Sequence, residues 1–250
     1  MPEFTSEGKE RRRNLGCTIF GWLVFILVLG ATLVVGQKAF VYYGKIKRGE
    51  IVDLPQFHTK LTTSKKMTLN QPTVDRALIE GDDAPATGAS PSTAQVTIVE
   101  FGDFECPFSK DEYPVVGQMI AKYGDRVRFI FHNYPLQDVH VHAKDAALAS
   151  LCAQEQGKFW PFYERLFQNA PALALGDLSN YAEGAGLNPK QFEKCLDDRR
   201  YASKIDKEIA LAERVGVAGT PVFFFNGQRV EGAIPVDVFE TIIRRLMSAK

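Results

Sequence analysis

The residues best suited to chemistry are a cysteine and the proline that follows it. Pro107 comes directly after a short loop. Because proline fits the first position of a helix, Cys106 is predicted to be the N-cap. There the cysteine would face unpaired backbone N–H groups and the positive end of the helix dipole, and both favour the thiolate. A thiolate attacks disulfides and is also a good leaving group. The sequence therefore predicts a nucleophile for thiol–disulfide exchange, with a buried inert cysteine as the alternative.

The elements that must position Cys106 are predicted from the pattern of apolar residues. The run 96–101 is β-branched and apolar, which is typical of a buried strand. Asn226 and Gly227 form a strong hairpin signal. Further strands are predicted at 127–131, 222–225 and 229–232, with a helix after the first strand, a helical stretch over 143–215 and a terminal helix over 236–248. This order indicates an α/β protein with a thioredoxin fold and a helical insertion at about 139–215.

The segment around Cys106 resembles the active site of a known family. Residues 101–109, which read FGDFECPFS, are similar to the active-site segment of DsbA-like disulfide oxidoreductases. Three further stretches agree in collinear order: YPL at 134–136 with HVHA at 140–143, CAQEQGKFW at 152–160, and GVAGTP at 216–221. The resemblance covers about residues 80–250. It departs from the family at one point, because the family has Cys-x-x-Cys and the second position here is Ser109.

Ser109 changes the reaction that the resemblance implies. In a two-cysteine site the second thiol resolves the mixed disulfide, whereas serine is not a redox nucleophile of this kind. We expect Ser109 to donate a hydrogen bond to the Cys106 thiolate. A mixed disulfide on Cys106 would then persist until an external thiol, or another thiol of the substrate, displaced it. The expected activity is isomerisation or exchange of mixed disulfides, without a self-contained dithiol cycle.

The resemblance also implies residues that contact the substrate. Thr220 and Pro221 are expected to lie opposite Cys106, with a cis prolyl bond between them, where the backbone before the proline binds an extended chain. Pro107 and Phe108 are expected to complete this substrate-binding surface.

Two further roles follow from the resemblance. Glu100 is expected to be a buried acid beneath the cysteine that acts as a general base, with a strand-end glutamate facing solvent as the alternative. Cys152 and Cys195 are expected to form a structural disulfide in the insertion, and two buried free thiols are the alternative.

The remaining polar residues of the domain carry no strong signal. Asp103 and Glu105 are expected to be loop charges. His140 and His142 form a His-x-His pair without obvious further ligands, so no metal site is predicted, and no cofactor is predicted either. His132 lies at the end of a strand without an assigned role.

The N-terminal part of the chain predicts a membrane anchor. Residues 15–36 contain no charged side chain, and as a helix they would extend about 33 Å, enough to span a bilayer. A cleavable signal peptide is the rival interpretation. The predicted organisation is a cytoplasmic tail at 1–14, a transmembrane helix at 15–36, a linker at 37–94 and an extracytoplasmic domain at 95–250. The expected localisation is therefore a bacterial-type cell membrane.

Composition narrows the classes of function and partner. The 30 basic and 30 acidic residues give no net charge, which argues against a nucleic-acid partner, and 4 cysteines exclude a disulfide-dense scaffold. The expected partners are unfolded or disulfide-bonded proteins and an external thiol. Two other functions stay open: a redox-inactive peptide-binding or chaperone-like module that uses the cis-proline groove, and a glutathione-linked transferase or isomerase.

Overall fold

The computed structural model describes residues 73–81 and 83–249. Its sheet has five strands in the order β1-β3-β2-β4-β5. The β2–β3 pair is parallel and the β1–β3, β2–β4 and β4–β5 pairs are antiparallel. The strands are β1 (Ala86–Gly88), β2 (Val96–Gly102), β3 (Val127–Asn133), β4 (Val222–Phe225) and β5 (Gln228–Glu231).

Helices cover both faces of this sheet. The block between β3 and β4 is helical, which agrees with the helical character predicted for 143–215. The helices are α1 (Arg76–Glu80), α2 (Pro107–Tyr123), α3 (Ala143–Glu155), α4 (Phe159–Asn169), α5 (Leu175–Gly184), α6 (Pro189–Asp197), α7 (Ala202–Arg214) and α8 (Val236–Ser248).

Alternation along β2 divides the core into two layers. Every residue of β2 is buried, and successive side chains of a strand point to opposite faces of a sheet. Ile98 packs in the layer that contains residues of α2, α8 and the inserted helices α3 to α6, whereas Val99 and Phe101 pack with residues of α1 and α7. Glu100 alternates with Val99 and Phe101, so it shares the face of Ile98 and of α2.

Within the predicted linker at 37–94, the described residues include two short regular elements. Residues 86–88 form β1, which pairs with β3, and Trp160 of α4 donates a hydrogen bond from Nε1 to the Ala86 carbonyl (3.1 Å). Residues 76–80 form the short helix α1, whose Ile79 is buried. These pairings arise from distant parts of the chain, and the local sequence carries little signal for them.

The predicted localisation in a bacterial-type cell membrane is corrected. Across the two described ranges, no helix combines the length and the apolar character that crossing a bilayer requires, and we do not retain that localisation. The segment on which it was based, 15–36, lies outside the described residues, as does the predicted tail at 1–14.

Candidate active site

Cys106 lies where β2 has ended and α2 begins. It is the N-cap of α2, Pro107 occupies the first turn, and the thiol is free. The residue is only 3% exposed, and its S–H donates to the carbonyl oxygen of Thr220 at 3.4 Å. The chain therefore presents a single sulfur at a helix N-terminus, directly against the loop that precedes β4.

The loop before β4 supplies the wall opposite Cys106. The Thr220–Pro221 peptide bond is cis, and the Pro221 carbonyl accepts a hydrogen bond from the Gly232 N–H (2.8 Å). The Thr220 hydroxyl is buried without a partner among the described residues. Thr220 and Pro221 thus come together with Cys106, although they are separated from it by the whole helical insertion.

Ser109 is fully buried in the first turn of α2. Its hydroxyl oxygen accepts a long hydrogen bond from the backbone N–H of Asp103 (3.5 Å). Among the described residues no hydrogen bond joins Ser109 to Cys106, so the expected Ser109–thiolate contact is absent from this arrangement. The neighbouring Pro107 and Phe108 are both exposed, and Phe108 retains 51% of its accessible surface.

Asp103 differs most from its predicted role as a loop charge. Its side chain is buried and accepts from the N–H of Glu105 (2.8 Å), the N–H of Leu136 (2.9 Å) and Nδ1 of His140 (2.8 Å). Glu105 makes a similar contact, because its Oε2 accepts from the His142 N–H (2.7 Å). Both carboxylates therefore tie the loop before Cys106 to the segment after β3. Apart from the N–H of Glu105, these donors lie more than 30 residues away in the sequence, so the local pattern around Asp103 and Glu105 does not reveal them.

Glu100 is buried on the α2 face of β2. Burial, and then the neighbouring Glu112 carboxylate, raise the pKa of Glu100 well above its usual value. Its Oε2 has no hydrogen-bond partner among the described residues. Gly102 leaves room for this side chain, because a Cβ there would meet Glu100 Oε1 at 2.9 Å and the Phe131 ring at 2.6 Å. The alternative of a solvent-facing glutamate at position 100 is therefore excluded.

Glu112 of α2 is a second buried acid that the sequence did not single out. Burial raises its pKa from 4.5 to about 7, although a hydrogen bond from the Ile234 N–H (2.7 Å) opposes the shift. Its Oε1 and the Tyr163 hydroxyl are buried without partners among the described residues. The only available signal was helical spacing, since position 112 shares a face of α2 with buried Val116 and Met119.

Cys152 and Cys195 are joined in a disulfide that links α3 to α6. Their Cα atoms are 5.8 Å apart and both residues are buried. The two sulfurs thus lie within the helical insertion, as part of its apolar core.

The histidines near β3 make structural contacts. His132 is buried, with Nε2 2.9 Å from the Ile79 carbonyl and Nδ1 3.3 Å from Glu208 Oε1. His140 is paired with Asp103. Within residues 73–81 and 83–249, no group of three or more His, Cys, Asp or Glu side chains is arranged to hold a metal ion.

A mixed five-stranded sheet, a cysteine at the N-cap of the helix after β2 and a cis-prolyl loop against that cysteine are together typical of a thioredoxin-like protein. Residues 85–245 match the model of a family described as thioredoxin. The chain therefore belongs to this family, and its structural neighbours include DsbA-like members.

Solved structures agree with this assignment of the fold. A thioredoxin-like oxidoreductase from Silicibacter pomeroyi is 24% identical with a TM-score of 0.63, and the match covers 71% of this chain and 100% of that one. BdbD from Bacillus subtilis, in its oxidised form, is 27% identical with a TM-score of 0.59 and coverage of 66% and 94%. The thiol-disulfide exchange protein alpha-DsbA2 from Wolbachia pipientis is 20% identical with a TM-score of 0.59 and coverage of 68% and 90%.

Curated relatives share only a part of their length with this chain. The Na(+)/H(+) antiporter NhaA 3 of Salinispora tropica is 37% identical over 153 residues, which make up 61% of this chain and 23% of that protein. The NhaA 1 antiporter of Salinispora arenicola is 36% identical over the same shares. The match therefore concerns one portion of each antiporter.

Proposed function

We propose that this protein exchanges disulfides with protein substrates through Cys106 alone. The observation that carries the proposal is the position of the free Cys106 thiol, at the N-cap of α2 and 3.4 Å from the Thr220 carbonyl. Membership of the thioredoxin family, together with the likeness in fold to the thiol-disulfide exchange protein alpha-DsbA2, supports the kind of reaction.

The first step is attack of the Cys106 thiolate on one sulfur of a substrate disulfide. A bond forms between Cys106 Sγ and that sulfur, the substrate S–S bond breaks, and the departing sulfur leaves as a thiolate that takes up a proton. The number of disulfides is unchanged by this step. Glu100 is proposed as the buried acid of the site, because burial raises the pKa of its carboxyl. Its ionised form would accept the proton of Cys106, and its protonated form would return a proton when the cysteine is released.

Resolution of the mixed disulfide requires a second thiol from outside the domain. Ser109 occupies the position of the second family cysteine and has no sulfur to offer. The Cys152–Cys195 pair is already oxidised and lies in the core of the insertion. A substrate thiol would complete an isomerisation, whereas an external small thiol or partner protein would release a reduced substrate.

The proposed substrates are unfolded or disulfide-bonded proteins. An extended chain would bind along the backbone at Thr220 and Pro221, as when a strand is added to an edge. The exposed side chains of Pro107 and Phe108 would contact its residues beside the reacting cysteine. No cofactor takes part in the proposed reaction.

The test is to trap the mixed disulfide on the full-length protein. We expect a peptide disulfide to give a covalent adduct of one peptide per chain by mass spectrometry, and Cys106→Ala to give none. Ser109→Cys should shorten the lifetime of the adduct by forming an intramolecular disulfide with Cys106. A wild-type protein that binds the peptide without any adduct would refute the exchange function. The alternative would then be the redox-inactive peptide-binding module, which the serine at position 109 favours.

A further inference from the structure

The loop between β3 and α3 carries two unusually exposed apolar side chains. Val139 is 72% exposed and Val141 is 79% exposed, the highest values among the large apolar residues of the described chain. Exposed apolar residues are common singly, but here two occur at positions i and i+2 of one loop. The exposure of both valines in one loop therefore needs a physical explanation.

This loop is held by two carboxylate acceptors, of which Asp103 is buried and Glu105 is partly buried. Asp103 Oδ2 accepts from the Leu136 N–H (2.9 Å) and from His140 Nδ1 (2.8 Å), so one contact comes before Val139 and one lies between the two valines. Glu105 Oε2 accepts from the His142 N–H (2.7 Å), directly after Val141. Because Asp103 is only 2% exposed, its loss of hydration has to be offset by these donors.

The anchoring carboxylates bind the loop to the residues that directly precede the reactive cysteine. Glu105 is the residue before Cys106, and Asp103 accepts from the Glu105 N–H as well (2.8 Å). Cys106 is thus flanked by Thr220 of the cis-prolyl loop, and its preceding residues are bound to the loop that bears the valines. Phe108, which is 51% exposed, follows Cys106 by two residues.

We propose that Val139 and Val141 form a docking edge for apolar side chains of the polypeptide that reacts with Cys106. The occupant is an extended, apolar segment that contains the disulfide-bonded cysteine. In an extended chain alternate side chains lie on one side and recur about every 6.6 Å, so residues near the reacting cysteine reach beyond the sulfur to neighbouring loops. Asp103, Glu105 and His140 act as positioning residues for this edge. The inference rests on the proposed exchange function and names the substrates that it would favour.

The test compares two disulfides on the full-length protein. The first is a peptide whose cysteine is flanked by leucine and valine, and the second is a small aromatic disulfide without a peptide. For Val139→Ser combined with Val141→Ser, we expect the rate of adduct formation with the peptide to fall about tenfold. The rate with the small disulfide should stay at the wild-type value, because the thiol itself is unaltered.

A second variant tests the anchoring. His140→Ala leaves both valines in place but removes one of the donors to Asp103, so the peptide rate should fall by a larger factor than the small-disulfide rate. Val236→Ser, at an exposed valine outside this loop (40% exposed), is the matched control and should leave both rates unchanged.

The possible results separate the two proposals. If the wild type forms no adduct with either disulfide, the exchange function itself is wrong. If the wild type reacts but the double valine variant keeps the full peptide rate, the docking edge is refuted. Equal losses with both disulfides would also refute it, because the loop would then act on the thiol and not on the peptide.

Discussion

The loop before Cys106 and the core of the domain differ in the number of hydrogen bonds that their buried carboxyl groups accept. In the loop before the cysteine, Asp103 is surrounded by three donors from two segments of the chain. In the core beneath, Glu100 has an oxygen without a partner among the described residues, and Glu112 accepts one hydrogen bond from the Ile234 N–H. All three side chains are buried to a similar extent.

The difference shows that the number of donors, more than burial, decides what a buried carboxyl does. Asp103 fixes geometry, because its hydrogen bonds connect the loop before Cys106 with the segment after β3. Glu100 and Glu112 have few donors, so burial raises the pKa of each and the protonated forms are favoured. Asp103 therefore fixes the position of the loop, whereas Glu100 and Glu112 favour the protonated state.

The largest change in the free energy of unfolding is expected from removing the Asp103 carboxylate, which accepts three hydrogen bonds. Asp103→Ala would leave two backbone N–H groups and the His140 ring without their acceptor, so we expect a loss of about 3–5 kcal/mol in the free energy of unfolding. Urea denaturation followed by circular dichroism measures this loss. Asp138→Ala, at an exposed aspartate of the adjacent loop, is the control and should be nearly neutral. A loss below about 1 kcal/mol for Asp103→Ala would remove the contrast between the two regions.

A change of intermediate size and opposite sign in the free energy of unfolding is expected for Glu112→Gln, which should stabilise the protein at high pH. Its pKa is raised from 4.5 to about 7, so the native state binds more protons than the unfolded chain between these values, and stability falls as the pH rises through this window. Glu112→Gln removes this titration and keeps an acceptor for Ile234. The variant should be up to about 3 kcal/mol more stable than the wild type at pH 8, and close to it at pH 4.5.

Unfolding curves at the two pH values test this prediction, with Glu193→Gln as the control at an exposed glutamate. If Glu112→Gln instead destabilised the protein equally at both pH values, the acid would be acting as a fixed acceptor like Asp103.

The smallest change in stability is expected at Glu240, a carboxylate near the surface that accepts hydrogen bonds from three side chains. Glu240 accepts hydrogen bonds from Lys122 (2.8 Å), Tyr123 (2.7 Å) and Arg244, and these contacts lower its pKa from 4.5 to about 2. Its stabilisation is present above pH 4.5 and is lost as the pH falls through about 2.

Glu240→Gln should therefore lower the denaturation midpoint slightly at pH 7, by less than the change at Glu112, and added salt should shrink the difference. Thermal unfolding at low and high salt measures it. A salt-independent loss would contradict the role of these charges.

The sequence was most informative where local pattern and structure agree. The apolar runs at 96–101 and 222–225 are strands, and the predicted terminal helix at 236–248 is confirmed as α8. β1 could not be predicted, because Ala86, Thr87 and Gly88 have little strand pattern of their own and are ordered by pairing with β3.

The site shows the same division. The positions of Cys106 and of the cis-prolyl loop could be inferred from residue types and from the resemblance to a family. The role of Asp103 could not, since two of its three donors belong to the distant residues Leu136 and His140, and no local pattern links these residues to Asp103. Glu112 was missed because an acidic residue on a helix usually faces water, and only the packing of α2 on the sheet shows that this one does not.

The strand order has a consequence for the proposed reaction with unfolded chains. Its seven-residue strands β2 and β3 lie inside the sheet, whereas the margins are formed by β1 with three residues and β5 with four. An exposed sheet margin is a template on which other chains can aggregate, and very short marginal strands reduce that hazard. Unfolded substrates would thus have few exposed backbone groups at the sheet margins with which to pair. Their binding would instead be favoured at the loops around Cys106.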